Sequence, residues 1–418
     1  MNIETLYTRY SENYLVDTDT RKIRKGAIYF ALKGVNFNGN AFAEEALNKG
    51  ASYCVVDEEK YANSENILLV DDVLTSLQQL ATYHRIQLNI PIIALTGSNG
   101  KTTTKELVNA VLHKKYKTTA TIGNLNNHIG VPLTLLSMTP KTDIGIVEMG
   151  ANHPKEIEFL CAIANPDYGY ITNFGKAHLE GFGSLEGVIE AKSELYVYLK
   201  KHRKTAFVNP NDTIQLEKSA GIEQVLFDTQ QLLFLEANPL VKISYHTETI
   251  QSNLIGDYNF SNLSAAITIG NYFNVLDTDI KEAIENYVSA NNRSQVLKTK
   301  INTVLLDAYN ANPTSMKAAL ENFNALEASH KTVILGDMFE LGKNSAEEHQ
   351  SMVDLAASLH FTNCYFVGEL FSNTHSDQLK FKDLEALSAH LLAHEITDSF
   401  ILIKGSRGMA LERLVKIL

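Results

Sequence analysis

The stretch PIIALTGSNGKTTTKE, residues 91–106, decides the fold. It opens with an apolar run, Pro91–Thr96, that reads as a buried strand. Gly97, Ser98, Asn99 and Gly100 form a glycine-rich turn, and a helix is predicted over Lys105–Tyr116. A strand that turns into a helix in this way gathers backbone N–H groups and the positive end of the helix dipole at one point, which suits an anion. Lys101 would reach the β- and γ-phosphates of a nucleotide, and the Thr102 hydroxyl would take a magnesium ion, with Thr103 beside them. The spacing departs from GxxxxGK[ST], because Leu95 stands where the first glycine belongs. Gly-Lys-Thr also arises by chance in plain turns. The strand–loop–helix setting favours phosphate binding here.

Working outward, strands and helices alternate almost throughout, which reads as an α/β chain. Ile144–Met149, Tyr168–Thr172 and Ala206–Asn209 are further strand candidates, with helices at Leu185–Lys200 and Asn259–Asn271. Towards the C-terminus, Val304–Asp307, Thr332–Leu335, Tyr365–Val367 and Phe400–Lys404 read as strands, and Met409–Ile417 as a final helix. Before the loop, Ala27–Leu32 and Tyr53–Val56 read as strands, and Phe42–Lys49 and Leu74–Gln87 as helices. The expected organisation is three domains. Residues 1–89 form a small α/β domain. Residues 90–291 form a central P-loop mononucleotide-binding domain with a mainly parallel sheet. Residues 292–418 form a Rossmann-like α/β domain.

Composition agrees with this size and class. The chain has 418 residues, 44% hydrophobic and 20% charged, enough apolar material for sizeable cores. Its 37 basic and 48 acidic side chains give a net charge of −11, which argues against general affinity for nucleic acid or anionic membrane. No apolar run approaches the ~20 residues of a membrane helix, and residues 1–26 lack the apolar centre of a signal peptide. Cys54, Cys161 and Cys364 are too scattered for a disulfide framework or a metal site. A cytoplasmic protein is expected.

Three polar residues behind the loop carry further chemistry. Glu148 ends a predicted strand, where ligands of α/β sheets bind, and is a candidate magnesium ligand. His178 also lies past a strand end, where an imidazole can serve a divalent ion. Lys192 sits in Glu190-Ala191-Lys192-Ser193-Glu194, inside a predicted helix, and on pattern alone reads as a solvated lysine.

The phosphate loop, GNLNNHIGVPLTLL (123–136), VEMGANHPKEI (147–157), ITNFGKAHLEGFGS (171–184) and AKSE (191–194) together resemble the Mur ligase family. So do DTRKIRKGAIYFALKG (19–34), GDYNFSNLSAA (256–266), LLDAYNANPTSM (305–316), LGDMFELG (335–342) and IKGSRGM (403–409). The resemblance implies a magnesium-dependent peptide ligase of peptidoglycan synthesis, a monomer, that uses ATP to join D-alanyl-D-alanine to a UDP-N-acetylmuramoyl-tripeptide through an acyl phosphate. By the same resemblance Thr102 and Glu148 hold one magnesium ion, and His178 serves a second. Lys192 is carbamylated by carbon dioxide, which makes it anionic and fit for a magnesium site. Asn259 and Asn262 lie near the adenine, and Arg293, Asp307, Tyr309 and Asn310 close on ATP. Arg21 and Lys33 belong to the UDP-sugar domain, Asn126 and Asn127 lie near the muramoyl peptide, and Lys404, Ser406 and Arg407 face the peptide substrates. Thr20 replaces a usual serine. Asn38-Gly39-Asn40 replaces Asp-Gly-His, losing a charge and an imidazole. Two other readings compete: an amino-acid ligase of the same superfamily, such as a folylpolyglutamate synthase, and a nucleotide-dependent regulatory protein without ligation.

Overall fold

In the computed structural model, which describes residues 1–289 and 292–418, every residue of Ile92–Thr96 is buried and the run is an inner strand of a six-stranded parallel sheet. The expected boundary at residue 291 lies outside the described residues. The order across the central sheet is Glu223–Leu226, Thr205–Val208, Tyr168–Ile171, Ile92–Thr96, Ile144–Glu148 and Thr118–Ala120. From Ile92–Thr96 the chain runs to the Thr118–Ala120 edge, returns by Ile144–Glu148, then crosses to Tyr168–Ile171 on the opposite side. The strand order therefore reverses beside Ile92–Thr96, the place where open α/β sheets leave a crevice at their carboxyl ends. The register brings those ends level, with Leu95 opposite Glu148 and Thr96 opposite Ile171.

The helix after the loop runs over Lys101–Leu112, four residues earlier than the expected Lys105–Tyr116. Gly100 takes a left-handed conformation (φ 78°), so helical geometry starts at once. Its buried face, including Leu107, Val108, Val111 and Leu112, packs against Asn259–Tyr272. A three-stranded antiparallel sheet, Leu232–Ala237, Leu240–Tyr245 and Glu248–Ile255, adds to this domain.

The N-terminal residues form a four-stranded parallel sheet ordered Val16–Asp17, Ile28–Phe30, Tyr53–Val56, Ile67–Leu69. The helix Val73–Leu88 fastens this sheet to the central domain. Buried Arg85 donates to the Ala164 carbonyl at 3.1 Å and the Asp167 carboxylate at 2.6 Å, and His84 Nε2 lies 2.9 Å from the Met138 carbonyl.

The C-terminal sheet is ordered Gln295–Lys298, Thr303–Asp307, Phe400–Lys404, Lys331–Gly336, Asn363–Val367, Leu379–Phe381. The first strand is antiparallel to its neighbour and the rest are parallel. The expected helix Met409–Ile417 is instead two short 3-10 segments, Arg407–Met409 and Leu411–Lys416, separated by Ala410 at φ 50°. All three cysteines are free and buried.

Candidate active site

Two glycines shape the phosphate loop. Gly97 has φ 138°, and a Cβ there would lie 2.0 Å from Thr172 Oγ1. A Cβ on Gly100 would lie 2.6 Å from Asn262 Oδ1. Neither position admits another residue without moving the wall behind it. The segment after Tyr168–Ile171 holds the loop in place. Ser98 Oγ donates to the Gly175 carbonyl at 2.8 Å, Asn99 N to Asn173 Oδ1 at 3.0 Å, and Thr172 Oγ1 to the Asn99 carbonyl at 2.5 Å.

The Lys101 ammonium folds onto this loop, donating to the carbonyls of Gly97 at 2.7 Å and Ser98 at 3.1 Å. Burial pushes its pKa down to about 8, with Glu148 pulling it up and Arg293 pushing it further down. A bound polyphosphate acts in the opposite sense and favours the charged ammonium. Nucleotide binding should therefore take up protons, more at pH 8.5 than at pH 7, because a larger share of Lys101 is neutral beforehand at the higher pH. Calorimetry in two buffers of different ionisation enthalpy measures this. Equal uptake by wild type and Lys101→Ala would assign the proton elsewhere.

Glu148 is 1% exposed at the end of its strand. Its Oε2 accepts from Thr102 Oγ1 at 2.9 Å and its Oε1 from Asn126 Nδ2 at 2.8 Å, while its own N–H donates to Thr121 Oγ1 at 2.9 Å. Hydroxyl and carboxylate oxygens side by side suit Mg²⁺, which takes one or two protein ligands and fills its octahedron with phosphate and water. Among the described residues no cluster of three His, Cys, Asp or Glu side chains could hold a metal ion. The oxygen pair fits a metal that arrives with a nucleotide.

Lys192 overturns its solvated reading. It is fully buried on the helix Leu185–His202, beside Val188, Ala191, Leu195 and Leu199. Its Nζ donates to the Ala151 carbonyl at 3.0 Å and lies 5.1 Å from the centre of the Phe182 ring. Burial, aided by nearby Lys101, holds its ammonium well below the ordinary lysine range. A buried amine biased towards its neutral form is the nucleophile that carbon dioxide requires. His178 has φ 52° and meets Glu340 Oε2 through Nδ1.

The central and C-terminal domains share one cavity of about 580 Å³. Ser98–Thr103, Asn126, Asn127, Glu148, His178, Asn259 and Asn262 line it from the central domain. Arg293, Asp307, Tyr309, Asn310 and Lys404 line it from the other side. Arg293 lies over the Tyr309 ring at 3.7 Å, and its buried Nε has no hydrogen-bond partner among the described residues. Lys404, 2% exposed, donates to Asp307 Oδ2 at 2.5 Å and the Asn310 carbonyl at 3.3 Å. Asn259 and Asn262 are bonded to each other at 2.8 Å, and Thr104 donates to Asn262 at 3.0 Å. Asn127 Oδ1 accepts at 2.9 Å from the N–H of Gly130, where the helix Gly130–Leu135 begins.

Other expected residues lie outside the cavity. Ser406 Oγ accepts from Phe339 N at 2.9 Å, and Arg407 pairs with Glu412 at 2.8 Å. Arg21 is 84% exposed and pairs with Asp19. Lys33 pairs with Asp57 at 2.8 Å and Glu58 at 3.1 Å. The two asparagines that replace Asp and His knit this cluster together: Asn40 donates to Asp57 at 2.8 Å and Asn38 to Glu58 at 2.9 Å. Thr121, Asn312 and Glu340 also hold the site together, although neither residue type nor spacing marks them. Asn312 donates to Asn99 of the phosphate loop at 2.8 Å, across the domain boundary. Asn312 and Glu340 fall within the YNANP and LGDMFELG blocks, which is the signal that points to them.

Comparison with known proteins follows the same three parts. The chain matches the Mur ligase family catalytic domain over residues 13–85, the Mur ligase middle domain over 95–270 and the Mur ligase glutamate ligase domain over 292–407. It is similar to the UDP-N-acetylmuramoyl-tripeptide–D-alanyl-D-alanine ligase of Bacillus subtilis, with 34% identity over 96% of this chain and 92% of that one. A crystal structure of MurF from Acinetobacter baumannii superposes with TM-score 0.84 at 30% identity, covering 96% of this chain and 92% of that one. The MurF ligase from Thermotoga maritima in complex with ADP gives TM-score 0.84 at 25% identity, covering 96% of both chains. With that identity sustained along nearly the whole chain and the three domains matched in order, the chain belongs to the Mur ligase family.

Proposed function

We propose that this chain is the ATP-dependent ligase that adds D-alanyl-D-alanine to UDP-N-acetylmuramoyl-tripeptide in the cytoplasm, giving the pentapeptide, ADP and phosphate. The observation that carries the reading is the Thr102–Glu148 pair at 2.9 Å behind the phosphate loop, in one cavity with Arg293, Asp307 and Lys404 of the third domain. A terminal carboxylate oxygen of the tripeptide bonds to the γ-phosphorus as the bond to the β-phosphate oxygen breaks, and ADP leaves. The dipeptide amine then attacks the acyl carbon, loses a proton, and phosphate departs.

Lys101 and the loop N–H groups bind the polyphosphate. Thr102 and Glu148 would hold one Mg²⁺, His178 would serve a second, and a carbamylated Lys192 would serve a magnesium site. When bound, such ions supply charge neutralisation between anions that otherwise repel. Asn259 and Asn262 stiffen the wall beside the adenine. Arg293, on Tyr309, offers to the nucleotide an Nε that has no partner among the described residues. Asp307 and the Asn310 carbonyl aim the Lys404 ammonium into the cavity towards a substrate anion, and Tyr309 and Asn310 complete that side. Asn126 orients Glu148 beside the muramoyl peptide, and Asn127 shapes the adjoining turn. Ser406 and Arg407 extend the peptide side, and Arg21 and Lys33 belong to the UDP end.

Phosphate release should require ATP, the UDP-tripeptide and D-alanyl-D-alanine together. Release supported equally by a folate and glutamate, or release independent of the dipeptide, would overturn the assignment.

A further inference from the structure

The segment after Tyr168–Ile171 is strapped to the third domain at alternate residues. Lys176 N donates to Thr314 Oγ1 at 2.8 Å and Lys176 Nζ to Glu348 at 2.6 Å. Glu180 N donates to the Glu340 carbonyl at 3.1 Å. Between these, His178 Nδ1 meets the Glu340 carboxylate. His178 and Glu340 both carry side chains yet sit in the left-handed region, at φ 52° and 62°. Such conformations persist where surrounding structure imposes them, and they cluster at functional sites.

A neutral imidazole that gives its Nδ1 proton to a carboxylate keeps Nε2 as its lone-pair nitrogen. Carboxylate partners of this kind fix the orientation and raise the basicity of metal-bound histidines. His178 lines the cavity shared by the two domains, and Nδ1 is the ring nitrogen already engaged. We propose that Glu340 is a positioning residue: from the third domain it locks His178 as the Nδ1–H tautomer with Nε2 free for a divalent cation, so the second metal position is complete only when the two domains are apposed. This rests on the reading of His178 as a metal-facing residue in the ligation site.

The test uses full-length wild type, Glu340→Leu and Glu340→Gln. Imidazole ¹⁵N shifts, with His178 assigned by comparison with His178→Asn, read the tautomer without metal. Mn²⁺ titration by electron paramagnetic resonance with ADP present reads affinity without turnover. Wild type should show the Nδ1–H form. Glu340→Leu should lose that preference and bind Mn²⁺ about 10- to 100-fold more weakly. Glu340→Gln, whose amide oxygen can accept the same hydrogen bond, should retain both the tautomer and most of the affinity. An Nε2–H tautomer in wild type, or a Glu340→Leu enzyme unchanged in both readouts, would overturn the proposal and leave Glu340 as a simple domain fastener. Failure of the ligase reading shows itself separately, as wild-type phosphate release that ignores the two substrates.

Discussion

Lys192→Ala should be nearly inactive, and formate or acetate should partly restore it. The lysine is fully buried with one carbonyl partner, and both burial and neighbouring Lys101 disfavour its ammonium. A cation there would repel the magnesium ions of the same site. Two unit charges 4 Å apart cost about 4 kcal/mol at an effective dielectric near 20. Carbamylation reverses that sign. The expected loss is about 10³-fold or more, because the carbamate would hold the charge-neutralising metals. Truncation also opens a cavity, so Lys192→Met, which keeps most of the volume, separates packing from charge. Both variants should be inactive without added acid. Small carboxylates should help Lys192→Ala, which has room for them, more than Lys192→Met. Retention of most activity by Lys192→Ala in carbon-dioxide-depleted buffer would show that no carbamate is used.

Lys101→Ala should lose about 10²- to 10³-fold or more in turnover, the loss seen when one preorganised charge-stabilising donor is removed, with no rescue by carboxylates because the missing charge is positive. The fold should survive. Among the described residues the ammonium donates hydrogen bonds only to the carbonyls of Gly97 and Ser98, and burial already penalises its charged form. The melting temperature should move by less than about 3 °C, corresponding to under about 1 kcal/mol for domains of this size. Near-normal turnover, or unfolding in step with lost activity, would remove the residue from phosphate binding.

The sequence announces the central sheet because its inner strands are continuous apolar runs. Ile92–Thr96 and Ile144–Glu148 are buried at every position, as strands covered on both faces are. The antiparallel sheet is harder to see. Leu233, Phe234 and Leu235 point consecutive apolar side chains partly into solvent, so Leu232–Ala237 shows neither alternation nor a buried run. Only Val241, Ile243 and Tyr245, alternating with Lys242 and Ser244, mark a strand there. Val16–Asp17 is too short for periodicity to register, whereas Ile28–Phe30 falls within the expected Ala27–Leu32. The final helix reads well by spacing, yet the chain there is 3-10 on both sides of the left-handed Ala410.

The site divides in the same way. The loop, Glu148 and His178 follow from strand ends and local pattern. The contacts between distant segments do not, since nothing in residue spacing pairs Asn126 with Glu148, Asn99 with Asn312 or His178 with Glu340. Lys192 is the sharpest case. Its helical neighbourhood of acids suggests a solvated face, whereas burial depends on how the helix Leu185–His202 packs against Glu156–Ala164 and the Phe182 segment.

The central claim is that ATP activates the tripeptide carboxylate before the amine arrives. Tripeptide labelled with ¹⁸O in both oxygens of its terminal carboxylate tests it directly. One labelled oxygen should leave on inorganic phosphate and the other should remain in the new amide of the product, read by mass spectrometry of both. Phosphate released without label, while both labelled oxygens stay with the peptide, would contradict the acyl-phosphate route and the assignment of this cavity as a ligation site.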